Sequence, residues 1–452
     1  MRRRLLIGIA FVLAALVGAP SAGWAAPGDT VVDGTLPDGA AYRFEVPAGW
    51  NGTLLLFSHG YRGPGSPNPA ADGPDAQTDR WLLAHGYALA GSSYATTGWA
   101  VAQAVPDQAA TAELFAARFG HPRRTIAWGS SLGGLVTGSL LDARPDLVTG
   151  ALPMCGVLDP VGAWNQALDA EFVFATLAAP TANLRLVGIT DPVGNLAGAQ
   201  AALDAAQATP QGRARIALTA AVADVPAWSD PSAPEPAAGD LAAQEHNQYV
   251  DLRAAAFPFA FALRAELEAR AGGVVSWNTG VDYRRQLARS ADRSLALGLY
   301  RAAGLPVEAD LAALAAAPRV AADRRAVAYL AANHEPSGRL AVPVLTLHTT
   351  GDGLVAPEQE RAYRNAVAQA GDGRLLRQVF VHRAGHCAFT MGEAVAALRA
   401  LEHRLDTGRW DGATEPSALN AAASAVGGPV APAFLRYRPG PPERTETGLR
   451  DG

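Results

Sequence analysis

The chain has 452 residues and a formal net charge of −5, and each of its 37 basic residues is an arginine. That sign argues against nucleic acid or an anionic membrane as the main partner. With 49% hydrophobic and 17% charged residues the chain can bury a large core, arranged as one big domain with an insertion or as two domains.

Residues 1–25 (MRRRLLIGIAFVLAALVGAPSAGWA) read as an export signal. Arg2, Arg3 and Arg4 precede an apolar run from Leu5 to Val17, and the small residues Gly23 and Ala25 suit cleavage after Ala25. The run is shorter than the ~18 apolar residues a membrane span needs, and no later stretch qualifies. The mature protein is therefore expected to be secreted, with no stable membrane insertion and a more acidic balance.

Residues 26–158 then alternate between two patterns. Residues 42–47 (YRFEVP) and 52–60 (GTLLLFSHG) predict an opening hairpin whose second member is a buried strand. Residues 86–94 form a strand, 107–119 an amphipathic helix, 124–130 a strand, 132–143 a helix and 147–156 another strand. Strands that are apolar along their whole length, separated by helices, indicate an α/β fold with a parallel sheet covered on both faces. The rhythm breaks at Asp159 and resumes in residues 340–405, with strands at 342–352 and 376–386 and helices at 357–370 and 391–405. The alanine-rich, helical residues 159–339 between the two blocks are expected to be a cap over a sheet-edge site. Residues 406–452, rich in Pro, Gly and Ala, read as a C-terminal tail that is partly disordered.

Chemistry concentrates in residues 125–141 (TIAWGSSLGGLVTGSLL). Gly129-Ser130-Ser131-Leu132-Gly133 has the spacing G-x-S-x-G of a nucleophile elbow, in which a serine occupies a sharp strand-to-helix turn that leaves no room for bulk two residues before or after it. Ser131 is the candidate nucleophile, since Ser130 lacks glycines at both offsets. A serine hydroxyl is a poor nucleophile until a base takes its proton, and the base needs an acid to hold its tautomer. Asp352 leaves an apolar strand through the turn TTGDGLVAP, and His386 follows in VFVHRAGHCAF, so both are expected at the carboxyl edge of the sheet with Ser131. Asp159 is a competing acid. His348 lies inside its own strand, and His382 falls in strand alternation and reads as a packing residue. No HExxH pattern or cysteine pair accompanies these histidines, so no metal is expected. The backbone N–H groups of Leu132 and Tyr61 are the candidate oxyanion donors, with His59 holding the loop that carries Tyr61.

The motifs SHGY, GSSLGG, TTGDGLVAP and AGH, in that order, make the sequence resemble the α/β-hydrolase fold superfamily over residues 42–158 and 340–405. The resemblance implies a mostly parallel eight-stranded sheet with helices on both faces, a Ser131–His386–Asp352 triad, no cofactor, and a variable cap that sets substrate choice. The SHGY loop lacks the extended glycine run of the hormone-sensitive-lipase-like branch, which disfavours that branch.

The expected function is a secreted serine hydrolase that cleaves a carboxylic ester, small or oligomeric, through an acyl-enzyme, with the acyl group against Phe257, Phe259, Phe261 and Trp277. One alternative is an exported serine peptidase for short peptides, with Glu266 and Glu268 holding the substrate amino terminus. Another is a binding protein that keeps the fold without activity. The two cysteines, Cys155 and Cys387, are expected to form a disulfide. Cys155 ends the strand after the elbow helix and Cys387 follows His386, so both should reach the same edge of the sheet.

Overall fold

The computed structural model describes residues 28–442 and Arg444, so the expected export signal lies outside the described residues. Strands β1 (Thr30–Thr35), β2 (Ala41–Val46), β3 (Thr53–Ser58), β4 (Ala88–Ser92), β5 (Arg124–Ser130), β6 (Gly150–Met154), β7 (Val344–Gly351), β8 (Leu376–Ala384) and β9 (Phe434–Leu435) join in one mixed sheet. Their spatial order is β1-β2-β4-β3-β5-β6-β7-β8-β9. From β3 to β8 the strands run parallel, whereas β1, β2 and β9 pair antiparallel with their neighbours.

The central strands are apolar throughout because each feeds two layers. Leu55 and Phe57 of β3, with Ile126 and Trp128 of β5, join one core with Leu82, Leu398 and Leu401. Leu54 and Leu56, with Ala127, face the opposite core beside Phe115, Leu140 and Val367. The period-2 alternation thus sends neighbouring residues to opposite helix layers, and no residue of β3 is left for solvent.

Two expectations are corrected, and one segment proves to carry regular structure. β2 and β3 are not a hairpin: β2 pairs with β1 and β4, while β3 lies between β4 and β5. A strand apolar on both faces, such as β3, is buried best between two parallel neighbours, whereas β2 pairs antiparallel on both sides. Among the described residues the sheet has nine strands rather than eight. The segment after Asp406, read as a partly disordered tail, contributes a helix (Pro416–Val426) and β9, which pairs with β8. Its Leu419, Ala423 and Phe434 fill one of the sheet-covering cores, an apolar demand that its Pro- and Gly-rich composition conceals.

Between β6 and β7 the chain is helical, and three of its helices start alike. Asp159-Pro160, Asp191-Pro192 and Thr209-Pro210 each place a capping side chain before a proline, and each cap accepts the N–H of a glycine three residues on, Gly162, Gly194 and Gly212. Such caps contribute about 1 kcal/mol each, and proline at the first helical position loses no hydrogen bond. Asp159, the competing acid, is thereby occupied as a helix cap. Among the described residues no helix is long and apolar enough to cross a membrane.

Candidate active site

Ser131 sits between the end of β5 and the helix Leu132–Ala143, with φ 60° and ψ −124°. That left-handed backbone is costly for any residue but glycine, and it persists because the surroundings leave no alternative. A Cβ on Gly133 would lie 1.9 Å from the Ser58 carbonyl oxygen, and one on Gly129 would lie 2.4 Å from the Gly133 carbonyl oxygen. The two glycines are therefore space requirements of the turn. The Ser131 N–H donates to the Met154 carbonyl oxygen at 3.0 Å, fixing the turn to the end of β6. The loop after β3 abuts it: a Cβ on Gly60 would be 3.3 Å from Ser131 Cβ. Leu132 and Tyr61 are thus brought to the same place as Ser131. His59 holds this loop through a 3.0 Å contact from Nε2 to the Ser93 carbonyl oxygen. Burial, aided by the Arg62 charge, pulls the His59 imidazole down to about 3.

Asp352 and His386 leave adjacent parallel strands, β7 and β8. Their loops are tied together by Gly385 N–H to the Gly351 carbonyl oxygen and Thr349 Oγ1 to the Gly385 carbonyl oxygen, both 2.8 Å. His386 Nδ1 donates to Asp352 Oδ2 at 2.7 Å, and Asp352 Oδ1 accepts the N–H groups of Leu354 and Val355 at 3.1 and 2.9 Å. Burial works to raise the Asp352 carboxyl, but the His386 charge and hydrogen bonds from His348 and His386 hold it well below the usual carboxylate range. His382 stands apart on the exposed side of β8, with Nε2 2.9 Å from Glu235. It is a solvent-facing residue rather than the packing histidine expected.

Cys155 and Cys387 are disulfide-bonded, with Cα atoms 5.4 Å apart. The bond joins the residue after Met154, which receives the Ser131 N–H, to the residue after His386. It therefore links the strand end that anchors the elbow to the loop that carries the imidazole. Closing a loop of sequence separation 232 stabilises by an upper estimate of about 5 kcal/mol in the chain-entropy picture. Mild reduction is expected to lower turnover before it unfolds the core, a sequence to be followed by activity and tryptophan fluorescence across a reductant series. Simultaneous loss of both signals would contradict the local role.

A pocket opens at Ser131, walled by Tyr61, Trp99, Trp164, Val157, Leu354 and Phe259. Rings pair across it, Tyr61 with Phe259 at 5.1 Å and Trp99 with Trp164 at 5.6 Å. Of the four expected aromatic contacts only Phe259 lines this pocket. Phe257 and Phe261 are wholly buried with Phe174 in the core of the cap helices, because the helix carrying them turns them away from the sheet. Trp277 borders a different cavity beside Arg285 and Arg444. Glu266 and Glu268 are also committed elsewhere. Glu266 accepts the Trp99 N–H at 3.0 Å and pairs with Arg270, and Glu268 accepts the Gly188 N–H at 2.8 Å.

With this geometry in view, similarity to known proteins is informative. Residues 35–249 match the tannase-like family of unknown function (DUF6351). The o-phthalyl amidase of Xanthobacter agilis is 30% identical over 419 residues, covering 87% of this chain and 90% of that protein. The chain belongs to the same family as this amidase. Among solved structures, feruloyl esterase B from Aspergillus oryzae aligns over 84% of this chain and 80% of its own with 13% identity and a TM-score of 0.41. A puromycin hydrolase aligns over 86% of this chain, which spans 41% of that protein, with 16% identity and a TM-score of 0.39. The protein is a hydrolase with an α/β-hydrolase-type fold.

Two pocket residues of this amidase relative, Trp99 and Trp164, carry no mark in the sequence. Trp99 lies in a loop and Trp164 on a helix of alanine-like pattern, so neither stands out. The signal available was Asp159-Pro160, a helix start directly after β6 that points the first turns of that helix, and Trp164 with it, over the elbow. His348, which the sequence places inside its own strand, is buried on β7 with Nε2 3.6 Å from Asp352 Oδ2, a contact that the sequence does not reveal.

Proposed function

We propose that this chain is an exported serine hydrolase that takes an aromatic acyl group from an amide or ester onto Ser131 and releases it to water. Ser131 Oγ attacks the carbonyl carbon while His386 Nε2 accepts the hydroxyl proton, then returns it to the departing amine or alcohol. Asp352 holds the imidazole through Nδ1 and stabilises the imidazolium. The N–H groups of Leu132 and Tyr61 take the oxyanion, and loss of one such donor typically costs ~3 to 4 kcal/mol of transition-state stabilisation. Water then repeats the sequence on the acyl-enzyme.

The observation that carries this reading is Ser131 in a left-handed turn, opening on a pocket walled by four aromatic rings. Kinship with an o-phthalyl amidase supports an aromatic acyl group and widens the expected ester to include amides. Tyr61 Oη, Trp99 Nε1 and Trp164 Nε1 are buried without a hydrogen-bond partner among the described residues. Such donors suit an acyl ring that bears an acceptor, as a phthalyl carboxylate does. The peptidase reading loses its footing where Glu266 and Glu268 are bound within the cap.

The test is labelling by a fluorophosphonate followed by a substrate panel of benzoyl, phthalyl and hexanoyl esters and anilides. Aromatic acyl groups are expected to be preferred, and faster turnover of the hexanoyl series would overturn the pocket assignment. Phe259→Ala should reduce kcat/KM for benzoyl substrates by about tenfold or more, one lost apolar wall being worth ~1 to 3 kcal/mol. Phe257→Ala should instead cost stability, about 3 to 5 kcal/mol, read in denaturant unfolding.

A further inference from the structure

Asp352 Oδ2 faces two imidazoles, His386 Nδ1 at 2.7 Å and His348 Nε2 at 3.6 Å. The proposed acyl transfer uses only the first. His348 is wholly buried, and its ring is enclosed by acceptors: Nε2 donates to the Val355 carbonyl oxygen at 2.9 Å, and Nδ1 lies 3.2 Å from Glu360 Oε1. Glu360 is itself buried and receives hydrogen bonds from the Thr346 hydroxyl and the Gln378 amide. A carbonyl oxygen cannot donate, so Nε2 carries a proton. Nδ1 faces a carboxylate oxygen, so the contact needs a second proton, and the Asp352 carboxylate on the other side of the ring favours placing it on the imidazole. We propose that His348 is a permanently charged positioning residue, a buried imidazolium that holds Asp352 ionised and opposes the positive charge that forms on His386.

The groups around it agree with that charge state. Glu360 and Glu358 face it from the helix Glu358–Ala370, Arg364 acts on Glu360 from the same helix, and Asp251 acts on Asp352 from the helix Leu241–Asp251. Burial would by itself push the His348 ring down, but hydrogen bonds to Asp352 and Glu360 outweigh it and lift the ring to about 10. Burial, with the Asp352 charge adding to it, raises the Asp251 carboxyl to about 7, which removes part of a competing negative charge at neutral pH. Ser131, His386 and Asp352 need such a counterweight. A carboxylate that binds the imidazolium too well would leave the base protonated and unable to accept the serine proton.

This inference rests on the Ser131–His386–Asp352 reading, and its test separates the two. In His348→Gln the amide keeps hydrogen-bonding capacity but loses the charge, so protonation of His386 becomes easier. The acid limb of kcat/KM is then expected to move to higher pH by about one unit, the order of effect of removing one buried unit charge close to the Asp352–His386 pair. A purely structural His348 would lower activity and thermal midpoint with the limb in its wild-type place, and that outcome overturns the proposal. Nitrogen-15 spectra of the wild-type histidine rings, assigned through the backbone, supply a reading that needs no variant. Both His348 nitrogens should stay protonated from pH 5.5 to 8.5, and a neutral ring at pH 7 overturns the charge assignment. Failure of the triad reading shows differently, as fluorophosphonate labelling that survives Ser131→Ala.

Discussion

Ser131→Ala is expected to lower kcat by about 10⁴- to 10⁶-fold, with the fold and substrate binding largely intact. The methyl group occupies the space of the CH₂OH side chain, and the left-handed turn is set by Gly129, Gly133, Ser58 and Met154 rather than by the hydroxyl. Activity over the uncatalysed rate should persist at a low level, because oxyanion donors and the aromatic pocket still act on a bound carbonyl. Ser130→Ala should cost far less, since Ser130 closes β5 within the strand. Initial-rate kinetics on a benzoyl ester, with circular dichroism as a check on folding, measure both. Near-normal turnover by Ser131→Ala would remove the nucleophile assignment.

His386→Ala is expected to produce a loss of similar size, and His382→Ala very little. The two residues lie four positions apart on and after β8, yet their settings differ. His386 has a buried carboxylate at 2.7 Å. His382 meets Glu235 at 2.9 Å in solvent, with 44% of its side chain exposed, and exposed pairs of that kind contribute ~0 to 1 kcal/mol. In the proposed triad Ser131 and His386 work as a unit, so combining Ser131→Ala with His386→Ala should lose little more than either alone. If His382→Ala is the more damaging variant, the base belongs at His382.

The elbow was legible in sequence because its demands are local. Gly129 and Gly133 must lack Cβ atoms, the strand before must be apolar on both sides, and the helix after must begin at once. Each of these demands leaves a mark within nine residues. Asp352 and His386 were legible for a related reason: each ends an apolar strand through a glycine-containing turn, and parallel strands deliver their ends to one edge. The Cys155–Cys387 bond followed from the same edge argument. The aromatic wall did not follow. Phe257, Phe259 and Phe261 alternate like three equivalent candidates, but the helix surface that presents Phe259 to Ser131 turns Phe257 and Phe261 toward Phe174.

Composition, strand periodicity and the order of serine, acid and histidine determined the α/β class, the position of the strand-to-helix turn at Ser131 and the residues proposed for acyl transfer, since all are written in near-neighbour patterns. Tertiary structure alone decided that β3 lies between β4 and β5, that the segment after Asp406 adds a ninth strand, and that Asp159 caps a helix. It also decided which rings line the pocket and that His348 shares an oxygen of Asp352 with His386. Those outcomes depend on contacts between segments up to hundreds of residues apart, where burial and hydrogen-bond satisfaction are settled by the whole fold and no local sequence pattern records the partner.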